Sequence, residues 1–170
     1  GSGTGIIGIC LARLGRDVVA SDVSRAAVRT TAANARRNGV VIPCYHSDLL
    51  ESLEGSFDWI AFNPPYSFGP DTFVSNIAKN LLRRVSWISQ TSGLAMPRPV
   101  LRYHQQLIGR LAAQAPRHLR AGGGILIHAY ESEVTALTSV LPPGSGVEIL
   151  RHPAMDQTVG MVIRLPTPRA

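Results

Sequence analysis

The run Phe57-Asp58-Trp59-Ile60-Ala61-Phe62, followed directly by Asn63-Pro64-Pro65-Tyr66, constrains this chain more than any other stretch. The first part is apolar apart from one acid and reads as a buried strand of a parallel sheet. Two consecutive prolines then rule out both helix and ladder pairing, so the strand has to end there. The ending leaves an Asn amide, rigid carbonyls and a Tyr ring at a carboxyl edge, where open α/β sheets bind ligands. A planar NH2 group suits such a place. Its hydrogens would go to the Asn63 side-chain oxygen and the Pro64 carbonyl, with Tyr66 against its face. Asn-Pro alone is also a plain turn signal, so the preceding strand carries the reading.

The chain opens on Gly1-Ser2-Gly3-Thr4-Gly5, with Gly8 further on. Glycines at this spacing turn tightly and bring the N–H groups of a helix start close to a ligand. Gly3-Thr4-Gly5-Ile6-Ile7-Gly8 also satisfies the dinucleotide fingerprint, so the pattern alone does not choose a cofactor. Such a turn normally follows a strand, and earlier residues are therefore expected upstream of Gly1. A helix then runs to Leu14 and stops at Gly15. Residues 17–22 read as a strand ending in Asp22, about 20 residues after the first glycine, where a carboxylate meets ribose hydroxyls. Ser24 is the expected cap of a helix over 25–38, which leaves Asp22 free for a ligand. Residues 40–45 form a short strand, placed at an edge by Pro43. His46-Ser47-Asp48 is read as a loop in which Asp48 accepts a hydrogen bond from an amine and His46 is a surface residue.

Beyond Tyr66 the spacing predicts a helix over 73–85, a segment over the site at 86–99, and a helix over 101–119 bent by Pro116. Gly122-Gly123-Gly124 is read as a turn into a strand at 125–130. A helix at 131–141 follows, and strands at 147–151 and 159–165 are close enough in sequence to pair antiparallel. Residues 166–170 read as a frayed tail. This alternation means an α/β fold: a Rossmann-like doubly wound, mostly parallel sheet with an antiparallel C-terminal strand pair, in one domain over 1–170.

Composition adds limits. With 170 residues, 45% of them hydrophobic, and no long apolar run, the chain is expected to be globular and without a membrane span. The net charge of +6 is almost all arginine, Lys79 being the one lysine. It fits nucleic acid or another acidic partner, or simply a solvated basic surface. Cys10 and Cys44 lack the spacing of a metal site or disulfide framework and are expected to be reduced and buried in a cytoplasmic protein. No metal-ligand cluster or catalytic triad is visible.

Taken together, the Gly-rich turn, strand-end Asp22, Asp48, Asn63-Pro64-Pro65-Tyr66 and the closing strand pair resemble the class I S-adenosylmethionine-dependent methyltransferases. Asn63 to Tyr66 narrows this to the amino-methyltransferases with an (Asn/Asp/Ser)-Pro-Pro-(Tyr/Phe) motif. Phe57 to Tyr66 is similar to the Phe-Asp-x-Ile-x-x-Asn-Pro-Pro-Tyr segment of the protein-(glutamine N5) methyltransferases of translation release factors. Tyr103 to Ile108 and Leu119 to Gly123 echo a later stretch of the same enzymes. Those enzymes carry a Gly-rich acidic stretch before the long helix, where this chain has Ala95-Met96-Pro97-Arg98-Pro99-Val100.

The resemblance implies S-adenosylmethionine as cofactor. Gly1, Gly3 and Gly5 would approach its amino-acid end, Asp22 its ribose, and Asp48 its adenine amine, with Leu49 packing on the ring. It implies catalytic roles for Asn63, Pro64 and Tyr66, which orient the acceptor nitrogen towards the methyl group, Asn63 lying beside the cofactor as well. No metal is implied. The acceptor would be a protein glutamine, with an exocyclic amine of a nucleic acid (adenine N6 or guanine N2) or a small molecule as alternatives. A nicotinamide-dependent dehydrogenase would leave Asp48 and Asn63 to Tyr66 without a role. A non-catalytic methyltransferase-like binding module stays open.

Overall fold

A computed structural model describes residues 1–65, 98–153 and 157–166. They fall into two compact units, Gly1–Phe57 and Asp58–Ala170.

In the first unit the order is α1 (Ile6–Arg13), β1 (Ala20–Asp22), α2 (Arg25–Arg37) and β2 (Cys44–His46). The two strands pair in parallel, Ala20 opposite Cys44 and Asp22 opposite His46. Ser24 caps α2 as expected, its hydroxyl accepting from the Ala27 N–H at 3.4 Å. Ile9, Ala20, Ala35 and Ile42 form the core of this unit, with Ala12, Val18, Val40 and Cys44 packed against it. The Gly-rich turn rests on α2 through Thr31, which is wholly buried. The Thr31 hydroxyl donates to the Gly3 carbonyl at 3.2 Å. Gly5 is buried at φ 86, and a Cβ there would lie 2.8 Å from Thr31 Cγ2.

Three expectations for this unit are corrected. β1 begins at Ala20 rather than Asp17, because the ladder pairs only Ala20 to Asp22. β2 begins after Pro43, which has no N–H to give, although its carbonyl accepts from the Ala20 N–H at 2.9 Å. His46 therefore lies in β2, with Nε2 3.0 Å from the Val23 carbonyl, and not in a loop. Cys10 is exposed, since α1 turns Ile9 to the core and Cys10 away from it; Cys44 is half-buried. Burial pushes the Cys44 thiol above its ordinary pKa, against the opposing pull of Arg36.

The second unit holds a four-stranded sheet in the order β3-β4-β6-β5. Its strands are β3 (Phe57–Phe62), starting at the unit boundary, β4 (Leu119–Tyr130), β5 (Gly146–Leu150) and β6 (Thr158–Arg164). β6 runs antiparallel to both neighbours, Ile125 opposite Ile163 on one side and Val147 opposite Ile163 on the other. This is the antiparallel strand pair expected from the sequence. Buried Ile125, Ile127 and Ala129 alternate with more exposed residues, as do Val159, Met161 and Ile163. α3 (Arg98–Gln114) buries Val100, His104, Ile108 and Leu111, one stripe at helical spacing. Pro116 ends it in a 3-10 turn, Ala115–Arg117. A second 3-10 turn, Glu131–Glu133, leads into the short α4 (Val134–Thr138), which packs against α3 and buries Leu137 completely.

Here too the structure departs from expectation. β3 is an edge of this sheet and only half-buried: Ile60 and Phe62 are inside, while Asp58, Trp59 and Ala61 are exposed. Two of its exposed side chains are engaged from β4 and β6. The Arg120 guanidinium meets Asp58 at 2.7 Å, and that of Arg164 lies 4.4 Å from the centre of the Trp59 ring. Gly122 to Gly124 form no turn but belong to β4. A Cβ on Gly124 would come within 3.0 Å of both Arg164 Nη1 and Trp59 Cζ3, so the Arg–Trp stack needs a glycine beneath it. The helix expected over 131–141 shortens to α4. The helix expected at 73–85, Tyr66 and residues 86–97 of the segment expected at 86–99 lie outside the described residues, while Arg98 and Pro99 of that segment begin α3. No helix among the described residues is long and apolar enough to cross a membrane.

The contrast between Gly5 and Gly3 is testable. Gly3 also has positive φ, but a Cβ there would meet nothing within 4 Å. Gly3→Ala should therefore cost only backbone strain, about 1–2 kcal/mol. Gly5→Ala adds overpacking against α2 and should cost roughly 2–4 kcal/mol. Urea denaturation of the two variants checks this, and equal losses would mean that the Gly5–Thr31 contact has no consequence.

Candidate functional site

The first cluster is built on the end of β1. Asp22 is buried, and its carboxylate accepts from the Gly3 N–H at 2.9 Å and from the Ser24 N–H at 2.8 Å. One acid thereby ties the Gly-rich turn to the start of α2. Asp22 is not left free, as the sequence suggested. An ionised carboxylate offers about four lone-pair sites, however, so these two bonds do not exhaust it. The Ser2 N–H donates to the Ser21 carbonyl at 2.9 Å, so the Gly-rich turn and the end of β1 are joined at two points.

Asp48 and Leu49 follow β2 in a tight turn, where the Asp48 carbonyl accepts from the Glu51 N–H at 3.2 Å. Leu49 is buried and has φ 54, a left-handed conformation that no other non-glycine among the described residues adopts. A bulky side chain in that region costs energy and persists only where its surroundings enforce it. The Leu49 carbonyl is held by the Ser21 hydroxyl at 3.2 Å, and Ser47 Oγ closes the turn by accepting from the Ser52 N–H at 2.9 Å.

The second cluster lies in the other unit, at the end of β3. The strand stops at Phe62, Asn63 is exposed, Pro64 is buried and Pro65 is exposed. The Pro65 carbonyl faces His104 Nε2 at 3.1 Å. The other ring nitrogen, Nδ1, lies 2.8 Å from Glu133 Oε1, and Glu133 Oε2 accepts from the Tyr130 N–H at 3.1 Å. His104 and Glu133 are both 1% exposed. The sequence reading missed them. A signal existed, since His104 occupies a core position of the stripe 100/104/108/111, and a buried polar side chain requires a partner. Nothing marked Glu133 as that partner.

Residues 1–95 match the methyltransferase small domain family. The chain is 31% identical over 152 residues to a Methanocaldococcus jannaschii protein provisionally named a protein N5-glutamine methyltransferase, covering 88% of this chain and 70% of that protein. It is 31% identical over 130 residues to the release factor glutamine methyltransferase of Lactococcus lactis, covering 75% of this chain but 44% of that enzyme. The chain thus spans less than half of the release-factor enzyme. Among solved structures, the ribosomal protein L11 methylase from Lactobacillus delbrueckii subsp. bulgaricus superposes with a TM-score of 0.66 at 18% identity, over 97% of this chain and 67% of that one. At that identity the likeness speaks for the fold alone. The chain belongs to the methyltransferase small domain family, S-adenosylmethionine-dependent methyltransferases of the class I, Rossmann-like fold.

Proposed function

We propose that the chain methylates the side-chain amide nitrogen of a protein glutamine, with a translation release factor as acceptor, acting as one catalytic domain over residues 1–170 in the cytoplasm. The observation that carries this reading is the abrupt end of β3 at Phe62, which leaves Asn63 exposed beside buried Pro64. The relatives named as glutamine methyltransferases support the choice of acceptor.

The residues of the first cluster fit the cofactor. There is open space beside Gly3, and the Asp22 carboxylate keeps lone pairs for ribose hydroxyls. In this reading Gly1, Gly3 and Gly5 face the cofactor's amino-acid end, Asp48 its adenine amine and Leu49 its ring. S-adenosylmethionine supplies an electrophilic methyl group when bound. The chain's own work is positioning. An amide nitrogen has a delocalised lone pair and is a poor nucleophile. Asn63 Oδ1 and the Pro64 carbonyl accept its two N–H bonds, which fixes its direction and raises its electron density. Asn63 is no base: the proton that the nitrogen loses on methylation passes to water, and the rate gain comes from orientation and placed dipoles. Tyr66, outside the described residues, is assigned the face of the amide plane.

A second reading, a nucleic-acid amine, draws on a groove of about 400 Å³ at the start of α3, lined by Arg98, Pro99, Arg102, Tyr103 and Gln106. Two guanidiniums beside an aromatic ring suit a phosphate backbone with a stacked base. Methyl transfer to release factor, DNA and RNA across a salt series separates the two. Transfer to release factor with a flat salt response supports the glutamine assignment. Transfer to nucleic acid alone, collapsing as salt rises, rejects it.

Asp22→Ala should weaken S-adenosylmethionine binding by about 1–3 kcal/mol, the scale of a lost charge-assisted hydrogen bond. Because Gly3 and Ser24 lose their acceptor too, unfolding stability should fall by a similar amount, on the order of 1–3 kcal/mol. Calorimetry and denaturation read the two effects. Tight NAD binding by the parent chain, with no S-adenosylmethionine binding, would overturn the cofactor assignment.

Asn63→Ala should leave cofactor affinity within about twofold and lower turnover by roughly 100-fold, the mark of a group acting mainly in the transition state. Parental turnover in this variant would disprove the nitrogen-orienting role.

A further inference from the structure

We infer that His104 is a positioning residue for the bend that carries Asn63, and that Glu133 keeps His104 in the protonation state this requires. The inference rests on the proposed role of Asn63 as the group that orients the acceptor nitrogen.

The argument is one of donors and acceptors. The Pro65 carbonyl can only accept, so His104 Nε2, 3.1 Å away, must carry a proton. Glu133 Oε2 already accepts from the Tyr130 N–H. One further proton therefore lies between Nδ1 and Glu133 Oε1, 2.8 Å apart. Whichever atom holds it, Nε2–H is kept. Without Glu133, a neutral imidazole is free to place its single proton on Nδ1 and turn a lone pair towards the Pro65 carbonyl.

The position of the pair is what makes it more than a core feature. An apolar side chain at 104 would continue the stripe of α3 without the desolvation cost of a buried ionisable pair. Beyond its own two elements the pair reaches the Pro65 carbonyl, two residues after Asn63. Pro64 and Pro65 have no N–H with which to anchor themselves. A clamp on this segment has to take hold of a carbonyl, and His104 does so.

The test compares His104→Phe, which has no donor, with His104→Gln, whose Nε2–H reaches the same place. Both leave Glu133 without its partner, so both lose stability. The expected difference lies in catalysis. With release factor as acceptor, His104→Phe should lower kcat by roughly 10- to 100-fold, the scale of a small misplacement, with KM and cofactor Kd nearly unchanged. His104→Gln should restore most of kcat. Independently of any acceptor, ¹⁵N spectra of the parent chain should show His104 Nε2 protonated, and amide exchange at Asn63 should quicken in His104→Phe. An unprotonated Nε2, or equal kcat and equal exchange in the parent and His104→Phe, overturns the inference. If Asn63→Ala is inactive while His104→Phe turns over normally, only the positioning role falls. If Asn63→Ala transfers methyl groups at the parental rate, the underlying reading falls, and the ¹⁵N and exchange data still decide whether His104 holds the bend.

Discussion

The Asp22 carboxylate does two jobs that are usually shared among several residues. The first N–H groups of a helix have no partner within it, and a Gly-rich turn exposes further N–H groups with nothing to hold them. Asp22 accepts one of each, from Ser24 and from Gly3. Ser24 then uses its hydroxyl on Ala27, and Thr31, about two turns further along α2, holds the Gly3 carbonyl. Removing the acid would release the turn and the start of α2 together. Its burial follows from the same geometry, since a carboxylate bonded to two backbone donors no longer depends on water for solvation.

The end of β3 solves a related problem with different means. Two prolines end the ladder without offering donors, so the bend cannot be fixed by backbone N–H groups as the Gly-rich turn is. The carbonyl of Pro65 is engaged from α3, and the acid behind His104 engages the Tyr130 N–H at the end of β4. In both units an acid near the carboxyl end of a strand accepts from backbone N–H groups, Asp22 from those of Gly3 and Ser24 and Glu133 from that of Tyr130. An ordered site of this kind loses less entropy when a ligand arrives.

Much of this was legible in the sequence. The end of α1 before Gly15, the Ser24 cap, the stop of β3 before Asn63 and the antiparallel closing strands each follow from a local rule that tertiary structure did not overrule. The failures in the strands share one cause: they depend on which strand lies beside which. β1 and β2 are short because pairing, and not β-propensity, sets their ends. β3 looks like a buried strand because Trp59 and Ala61 are apolar, yet both are exposed, and the Trp59 ring lies under the Arg164 guanidinium from β6. The glycines at 122 to 124 signal a turn in isolation, whereas in the fold Gly124 leaves room for the Trp59 ring. For the site, residue types at strand ends were readable, but the His104–Glu133 pair spans 29 positions and no periodicity links them.

The strained Leu49 belongs with the acids in this picture. Its left-handed φ is unfavourable for a side chain of that size, and burial of the leucine helps to offset the cost. Two side-chain hydroxyls brace the turn, Ser21 donating to the Leu49 carbonyl and Ser47 accepting from the Ser52 N–H, beside the backbone bond from Glu51 to Asp48. A relaxed turn would need neither. Ser21 adjoins Asp22 on β1, so the same strand end fixes both the acid and the turn that presents Asp48. A change in that strand's register would disturb both at once. The short ladder from Ala20 to Asp22 therefore matters more to the site than its length implies.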